Sequence, residues 1–215
     1  MSHPVSEKSA LVVSAHSADF VWRAGGAIAL HALQGYQVHV VCLSFGERGE
    51  SAKLWRKGNM TEEAVKQVRR EEAQAAAAIL GASVEFFDIG DYPLRADKET
   101  LFRLADVYRR IQPHFVLTHS LQDPYNYDHP LASHLAQEAL IISQAEGYLK
   151  IIIAGLIFSG VYNILSGALR SIGNAMAPLI ILIISSIMNI VLDLLFVGQW
   201  GMGINGAAYA TVISQ

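Results

Sequence analysis

Two short clusters of histidine and aspartate residues are the part of this sequence whose chemistry is easiest to interpret. His16 and Asp19 stand three residues apart behind an apolar run, and an imidazole and a carboxylate at this spacing on a turn can face one divalent metal ion. The second cluster, at residues 119–129, adds further imidazoles together with Asp123 and Asp128, either of which could orient a ligand ring from behind. Two histidines and one aspartate leave a coordination position open, which is typical of a catalytic zinc site. The alternative is that both clusters are turns whose polar side chains face the solvent and bind no metal.

The elements that must position these clusters are predicted by an alternation of short apolar runs with helical segments. Strands are expected at residues 10–15, 37–44, 84–89 and 114–119, and helices at residues 21–33, 61–80, 97–110 and 130–146. This order predicts an α/β fold with a Rossmann-like parallel sheet and flanking helices. Ligands of such sheets gather at the carboxyl ends of the strands, and each cluster directly follows a predicted strand.

The sequence changes character at the Lys150–Ile151 bond. Residues 1–150 carry 33 of the 35 charged side chains and all eight histidines, whereas the 65 residues after them carry only Arg170 and Asp193. Hydrocarbon penalises a charged residue by about 2.5–3.5 kcal/mol at a helix centre, so soluble and membrane segments differ in this way. We therefore expect a soluble, metal-binding α/β domain over residues 1–150 and a membrane-type helical segment over residues 151–215.

The composition of the first 150 residues argues against several classes of function. Their 15 Lys+Arg and 18 Asp+Glu form a mixed-sign surface without a basic run, so we expect no nucleic-acid partner. The lone Cys42 cannot form an internal disulfide and fits a reducing compartment. The polar start, residues 1–8, lacks the apolar core of a secretory signal. We expect a cytoplasmic location for this part, and the oligomeric state stays open.

The motif A-H-x-x-D after the first predicted strand, with H-S-x-x-D…D-H-P after the fourth, resembles the PIG-L/LmbE superfamily of zinc-dependent deacetylases and their relatives. The resemblance covers residues 1 to about 150. Carried over position by position, it implies that His16, Asp19 and His129 bind Zn²⁺, and it implies a Rossmann-like fold. It also implies that the parent enzyme continues further, with more sheet and more pocket wall.

Two departures from the deacetylase pattern favour a hydratase within this superfamily. Deacetylases usually read A-H-P-D-D, in which the first Asp is the general base, and Ala18 at that place cannot accept a proton. The histidine that typically precedes P-D-H is replaced by Asn126. Each loss would lower the rate of amide hydrolysis by about 10²–10⁴-fold. We therefore expect a zinc-dependent hydratase that adds water to a small unsaturated dicarboxylate or tricarboxylate.

An acid or base for that addition must come from elsewhere in the site. The Gly-flanked loop at residues 46–50 follows the second predicted strand and lies at the same edge of the sheet. We predict Glu47 as the catalytic acid/base and Arg48 as an anchor for a substrate carboxylate. The alternative for Glu47 is a solvated loop glutamate.

The apolar tail predicts two to three helices. Uncharged stretches of 19, 22 and 22 residues follow Lys150, separated only by Arg170 and Asp193, and about 20 apolar residues are enough to cross a bilayer. The alternative is a buried helical hairpin within a soluble protein. Arg170, Pro178, Asn189 and Asp193 have the order and spacing of an internal fragment of a MATE-type multidrug efflux transporter, which the tail resembles.

Three interpretations of the whole chain remain open. The first is a junction of two unrelated fragments, in which the hydratase is impaired because a transporter-like segment replaces its C-terminal part. The second is a membrane-tethered zinc deacetylase or hydrolase, with the tail as its anchor. The third is a chimera without enzymatic function, whose apolar tail packs against a partner.

Overall fold

A computed structural model describes residues 8–215. Most of the polar start, residues 1–7, lies outside the described residues. The prediction that it is not a secretory signal concerns these residues. The chain divides into two compact units, the first ending at Ile142 and the second running from Ser143 to Gln215.

The first unit is built on a parallel sheet of four strands. These are β1 (Ser9–Ser14), β2 (Gln37–Cys42), β3 (Ala82–Phe86) and β4 (Phe115–Leu117), arranged in the order β3-β2-β1-β4. β1 pairs with β2 along its full length but with β4 over only three residues. The predicted Rossmann-like α/β architecture is confirmed, with the first strand in the interior of the sheet.

Helices cover both faces of this sheet. They are α1 (Asp19–Leu33), the short α2 (Ala52–Trp55), α3 (Glu62–Leu80), α4 (Lys98–Ile111) and the first part of α5 (Asp128–Ser171). Successive residues of a strand point to opposite faces, so β1 contributes to two cores. Leu11 and Val13 belong to the core formed with α4 and α5, and Ala10 and Val12 belong to the core formed with α1 and α3.

The ends of the helices follow local capping chemistry. The Thr61 hydroxyl accepts a hydrogen bond from the Ala64 N–H at the start of α3, and the Asp97 carboxylate does the same for Thr100 at the start of α4. Gly81 ends α3 with a left-handed backbone, φ 75°. The sequence missed α2, because four residues are too few to show a helical period.

The predicted end of the fourth helix near residue 146 is wrong. α5 begins at Asp128 and continues without interruption to Ser171, so the Lys150–Ile151 bond lies inside a helix. Residues 131–171 contain no proline, and the Lys150 ammonium lies 2.6 Å from the Glu146 carboxylate one turn earlier. A change in composition at this bond therefore does not coincide with a break in secondary structure.

The second unit is entirely helical, as the apolar sequence predicts. It contains the last part of α5, then α6 (Met176–Asp193), a π-helical segment (Leu194–Gln199) and α7 (Gly203–Ser214). Glycine permits close packing here, since a side chain at Gly155 would collide with Val212. The helix Asp128–Ser171 and the helical stretch Met176–Gln199 each contain 18 residues that are apolar enough to cross a membrane by length and composition, with mean hydropathies of 1.8 and 2.6 over those residues.

Candidate metal centre

The candidate metal centre lies where the first two strands of the sheet end. His16 follows β1 by two residues, Asp19 is the first residue of α1, and Glu50 lies in the loop after β2. His129 is the second residue of α5. One side-chain ligand atom from each of these four residues lies within 4.8 Å of the others. The four residues therefore form a candidate site for a metal ion, and they come from three segments that are far apart in sequence.

Three of these atoms lie at separations that one metal ion would produce. Asp19 Oδ2 is 3.0 Å from His16 Nδ1 and 3.4 Å from His129 Nε2. A tetrahedral zinc ion with bonds of about 2.0–2.1 Å holds its ligand atoms about 3.4 Å apart. The spacing of the aspartate and the two imidazoles fits such an ion.

A carboxylate faces the second ring nitrogen of each histidine. His16 Nε2 lies 3.2 Å from Asp128 Oδ2, and His129 Nδ1 lies 2.7 Å from Asp123 Oδ2. Such a carboxylate holds the ring proton on the outer nitrogen and directs the lone pair of the inner nitrogen toward a metal. His129 Nε2 is buried and has no hydrogen-bond partner among the described residues, which fits a ligand atom.

The electrostatics of the buried site favour a positive charge at its centre. Burial alone would lower the pKa of His16, but the hydrogen bond with Asp19 and the charge of Glu50 outweigh burial and raise this pKa to about 9. Burial alone would raise the pKa of Asp19, but the adjacent imidazoles of His129 and His16 hold this pKa well below its usual range. The carboxylates therefore attract a cation, and a metal ion would satisfy them as the proton on His16 does.

Glu50 is a site residue that sequence reasoning did not select. Its Oε1 lies 3.5 Å from His16 Nδ1, and a quarter of its side chain is exposed. Burial raises the pKa of Glu50, and the negative charge of Asp19 acts in the same direction. A half-buried carboxyl group beside a metal site is able to exchange protons with a substrate. The only sequence signal was its place in the same Gly-flanked loop as Glu47.

The loop that carries Glu50 is fixed by contacts with a distant segment. The buried Asp91 carboxylate accepts hydrogen bonds from the N–H groups of Arg48 and Gly49, at 3.1 and 2.8 Å. Gly46 has φ +67°, a left-handed conformation that favours glycine, and the Ser51 hydroxyl donates to its carbonyl at 2.7 Å. These bonds turn the chain so that Glu50 reaches His16.

The structure does not bring Glu47 or Arg48 into this cluster. The Glu47 side chain is fully buried, and neither of its carboxylate oxygens has a hydrogen-bond partner among the described residues. The Arg48 guanidinium is half exposed and lies 3.4 Å from Glu62 on α3. Glu47 is therefore not the solvated loop glutamate of the alternative interpretation, and burial raises its pKa.

A cavity of about 330 Å³ opens beside the cluster, next to β1, β4 and α1. Asp19 and Asp123 line it together with Arg23, whose side chain is 56% exposed and lies 3.2 Å from Asp19 Oδ1. His119 also lines it, stacked on His129 with 4.1 Å between the ring centroids. His119 Nε2 accepts a hydrogen bond from the Ala15 N–H at 2.9 Å, so this ring shapes the site without offering that nitrogen to a metal.

Comparison with known proteins identifies the class to which this fold and site belong. The sequence profile of the PIG-L family, described as GlcNAc-PI de-N-acetylase, matches residues 11–140. This match covers more than half of the chain, which belongs to the PIG-L family. The matched residues include the four that form the candidate metal site.

Within this family the chain is similar to a hydratase. It is 86% identical over 142 residues to 4-oxalmesaconate hydratase of Pseudomonas putida KT2440, a match that covers 66% of the chain and 55% of the relative. The crystal structure of GalB, described as the 4-carboxy-2-hydroxymuconate hydratase of the same organism, superposes with a TM-score of 0.64, covering 66% of this chain and 59% of that one. The chain thus spans just over half the length of this relative.

The later part of the chain matches a different family. The MatE profile matches residues 125–195. A probable multidrug resistance protein of Bacillus subtilis, YpnP, is 41% identical over 75 residues, which cover 35% of this chain and 17% of that protein. Both resemblances stated from the sequence are confirmed: the first part of the chain is PIG-L-like, and the later part is MATE-like.

Proposed function

We propose that this chain carries the metal-binding part of a zinc-dependent hydratase, which adds water to a small unsaturated polycarboxylate such as 4-oxalmesaconate in the breakdown of an aromatic compound. The observation that carries the proposal is the pairing of a three-residue metal site with the Glu50 carboxyl group, while Ala18 offers no base for amide hydrolysis. The 86% identity to a hydratase supports the same reaction.

His16, Asp19 and His129 would hold the metal ion. Two neutral imidazoles and one carboxylate are a ligand set typical of catalytic zinc. When bound, zinc supplies Lewis acidity that polarises an oxygen of the substrate. Asp123 and Asp128 hold the outer nitrogens of the two imidazoles, so their part in the reaction is to keep the ligand rings in place.

We assign the proton transfer to Glu50, in preference to the Glu47 of the sequence prediction. In the reaction, the oxygen of water forms a bond to one carbon of the double bond while the carboxylate takes the proton that leaves this water. The carboxyl group then returns a proton to the other carbon, so that the elements of water are added and the carboxylate is regenerated. Glu50 is suited to both steps because burial raises its pKa while a quarter of its side chain stays exposed.

We assign the binding of a substrate carboxylate to Arg23. It is the arginine that lines the cavity beside the metal site, whereas the predicted Arg48 faces Glu62 on another helix. A guanidinium group binds a carboxylate through two parallel hydrogen bonds. The substrate would then lie between Arg23 and the metal ligands, within reach of His119 on the cavity wall.

We further propose that the chain is a hybrid and that its own hydratase activity is weak. The soluble part, residues 1–150, would act in the cytoplasm, and residues 151–215 would be a transporter-like helical segment that replaces, along the chain, the C-terminal part of the parent enzyme. A cavity left open to water weakens electrostatic catalysis. The second candidate, a membrane-tethered zinc enzyme, is favoured by the two helices that are long and apolar enough to cross a membrane.

Zinc binding by the full chain in mild detergent tests the metal assignment. The variant His129→Gln removes a proposed ligand. Its zinc affinity should fall more than it does when a hydrogen-bond partner of a ligand is lost, which costs about 10–100-fold. His134→Gln is the matched control, since His134 is exposed on the same helix. The rate of 4-oxalmesaconate hydration by the full chain, compared with that of the Pseudomonas putida hydratase, tests the reaction. Equal zinc affinity in the two variants would refute the site.

A further inference from the structure

In the sheet of the first unit, β4 is an edge strand. β4 is three residues long and pairs with β1, and no other described strand pairs with it. An unpaired strand edge presents N–H and C=O groups that a further strand can satisfy. The observed order β3-β2-β1-β4 is the first part of the doubly wound order 3-2-1-4-5-6, in which the next strand adds beside β4.

The cavity beside the metal site reaches the same region. Its apolar wall includes Leu117 of β4, with Phe20, Ala24 and Ala27 of α1. Its volume is about 330 Å³, and it is open to solvent. Two tyrosines in the segment that follows the cavity residue Asp123, Tyr125 and Tyr127, are 93% and 85% exposed. An open strand edge, an apolar cavity and exposed aromatic rings together indicate a surface that is normally covered.

The comparison with the hydratase indicates what covers it. The matched region accounts for only 55% of the Pseudomonas putida relative, and the sequence that matches it here is 86% identical. Such identity leaves the packing surfaces of the matched part nearly unchanged, so they stay complementary to the part of the relative that this chain does not match. We call this the unmatched remainder.

We propose that the β4 edge and the adjoining cavity form a docking surface for the unmatched remainder of the Pseudomonas putida hydratase supplied as a separate polypeptide. The remainder adds a strand to β4 through main-chain hydrogen bonds and inserts apolar side chains between Leu117 and Ala27. It also closes the cavity over Asp19 and His119. Docking rests on the fold alone, and recovery of activity rests in addition on the proposed function.

Co-expression of the tagged full chain with the unmatched remainder tests this proposal. We expect the remainder to co-purify with the chain in mild detergent and to resist limited proteolysis in its presence. Ala27→Phe fills the cavity, so the amount of remainder recovered should fall about fivefold or more. Ala29→Phe is the matched control, because Ala29 lies on the same helix without lining the cavity, and its recovery should equal that of the unchanged chain.

The outcomes separate docking from catalysis. Capture of the remainder with gain of hydratase activity supports both proposals, whereas capture without activity supports docking and counts against the proposed reaction. Degradation of the remainder at the same rate with and without the chain overturns docking. Equal capture of the remainder by the Ala27→Phe and Ala29→Phe variants also overturns docking. If the chain instead associates with itself, and Ala27→Phe abolishes that association, a second copy occupies the surface and the proposal is wrong.

Discussion

The contact between Asp123 and His129 permits a sharp prediction about the metal site. The Asp123 carboxylate lies 2.7 Å from His129 Nδ1, and its other oxygen accepts hydrogen bonds from the N–H groups of Tyr125 and Asn126, at 2.9 and 3.2 Å. The ionised carboxylate only accepts hydrogen bonds, so it holds the ring proton on Nδ1 and leaves the lone pair of Nε2 for a metal ion.

The variant Asp123→Asn reverses this preference while preserving the loop. Its amide oxygen can still accept from Tyr125 and Asn126, so the Nδ2 group must face the ring. Two N–H groups repel each other, and the ring relieves the conflict by moving its proton to Nε2, the ligand atom. Loss of the outer partner of a ligating imidazole should lower the metal affinity about 10–100-fold.

Competition with a chromophoric zinc chelator measures this loss in the full chain. Asp106→Asn is the control, since Asp106 lies on α4 with a side chain that is 71% exposed, and its zinc affinity should be unchanged. Nitrogen-15 chemical shifts of the His129 ring report the tautomer directly. Unchanged zinc affinity in Asp123→Asn, with the proton still on Nδ1, would refute the reasoning about ring orientation.

Three further predictions follow from buried and exposed charges. Burial raises the pKa of Glu47, so its ionised form destabilises the fold: this penalty is absent below the unfolded pKa of about 4.3, grows as pH rises from there to the raised folded pKa, and stays constant above it. Glu47→Gln should therefore increase hydrogen-exchange protection of β2 at pH 7 by about 1 kcal/mol and leave it unchanged at pH 4. Arg23→Met should weaken binding of trans-aconitate to the zinc-loaded chain about tenfold in calorimetry, whereas Arg48→Met should change it less than about twofold. Ile184→Arg in the middle of α6 should lower the vesicle-bound fraction in flotation by about two orders of magnitude, and Trp200→Arg, beyond the π-helical segment, should have little effect.

Each of these predictions has an outcome that contradicts it. Equal protection of Glu47→Gln and the unchanged chain at both pH values would mean that the carboxylate has a partner. Glu138→Gln, an exposed site on α5, controls for the loss of one charge. Equal binding of the tricarboxylate by the two arginine variants would remove Arg23 from the pocket. Flotation unaffected by the central arginine would favour the buried hairpin over a membrane segment.

The sequence by itself determined the architecture of the first unit and the residue types of its candidate metal site. Local signals are sufficient for this, because β-branched runs, helix caps such as Thr61 and Asp97, and Gly81 each act within a few residues. The side chains of His16, Asp19 and His129 have the ligand types of zinc wherever they lie, and parallel strands direct the loops after them to one edge. The composition of the tail likewise predicts apolar helices without any knowledge of packing.

The tertiary structure decided which acidic and basic groups reach the site. Glu47 and Glu50 lie three residues apart in one loop, and their separation depends on the turn at Gly46 and on hydrogen bonds from the loop to Asp91. Arg23 and Arg48 both carry a guanidinium group, but α1 presents one to the cavity while the loop directs the other to α3. Such choices depend on contacts between residues that are tens of positions apart, and no local pattern encodes them.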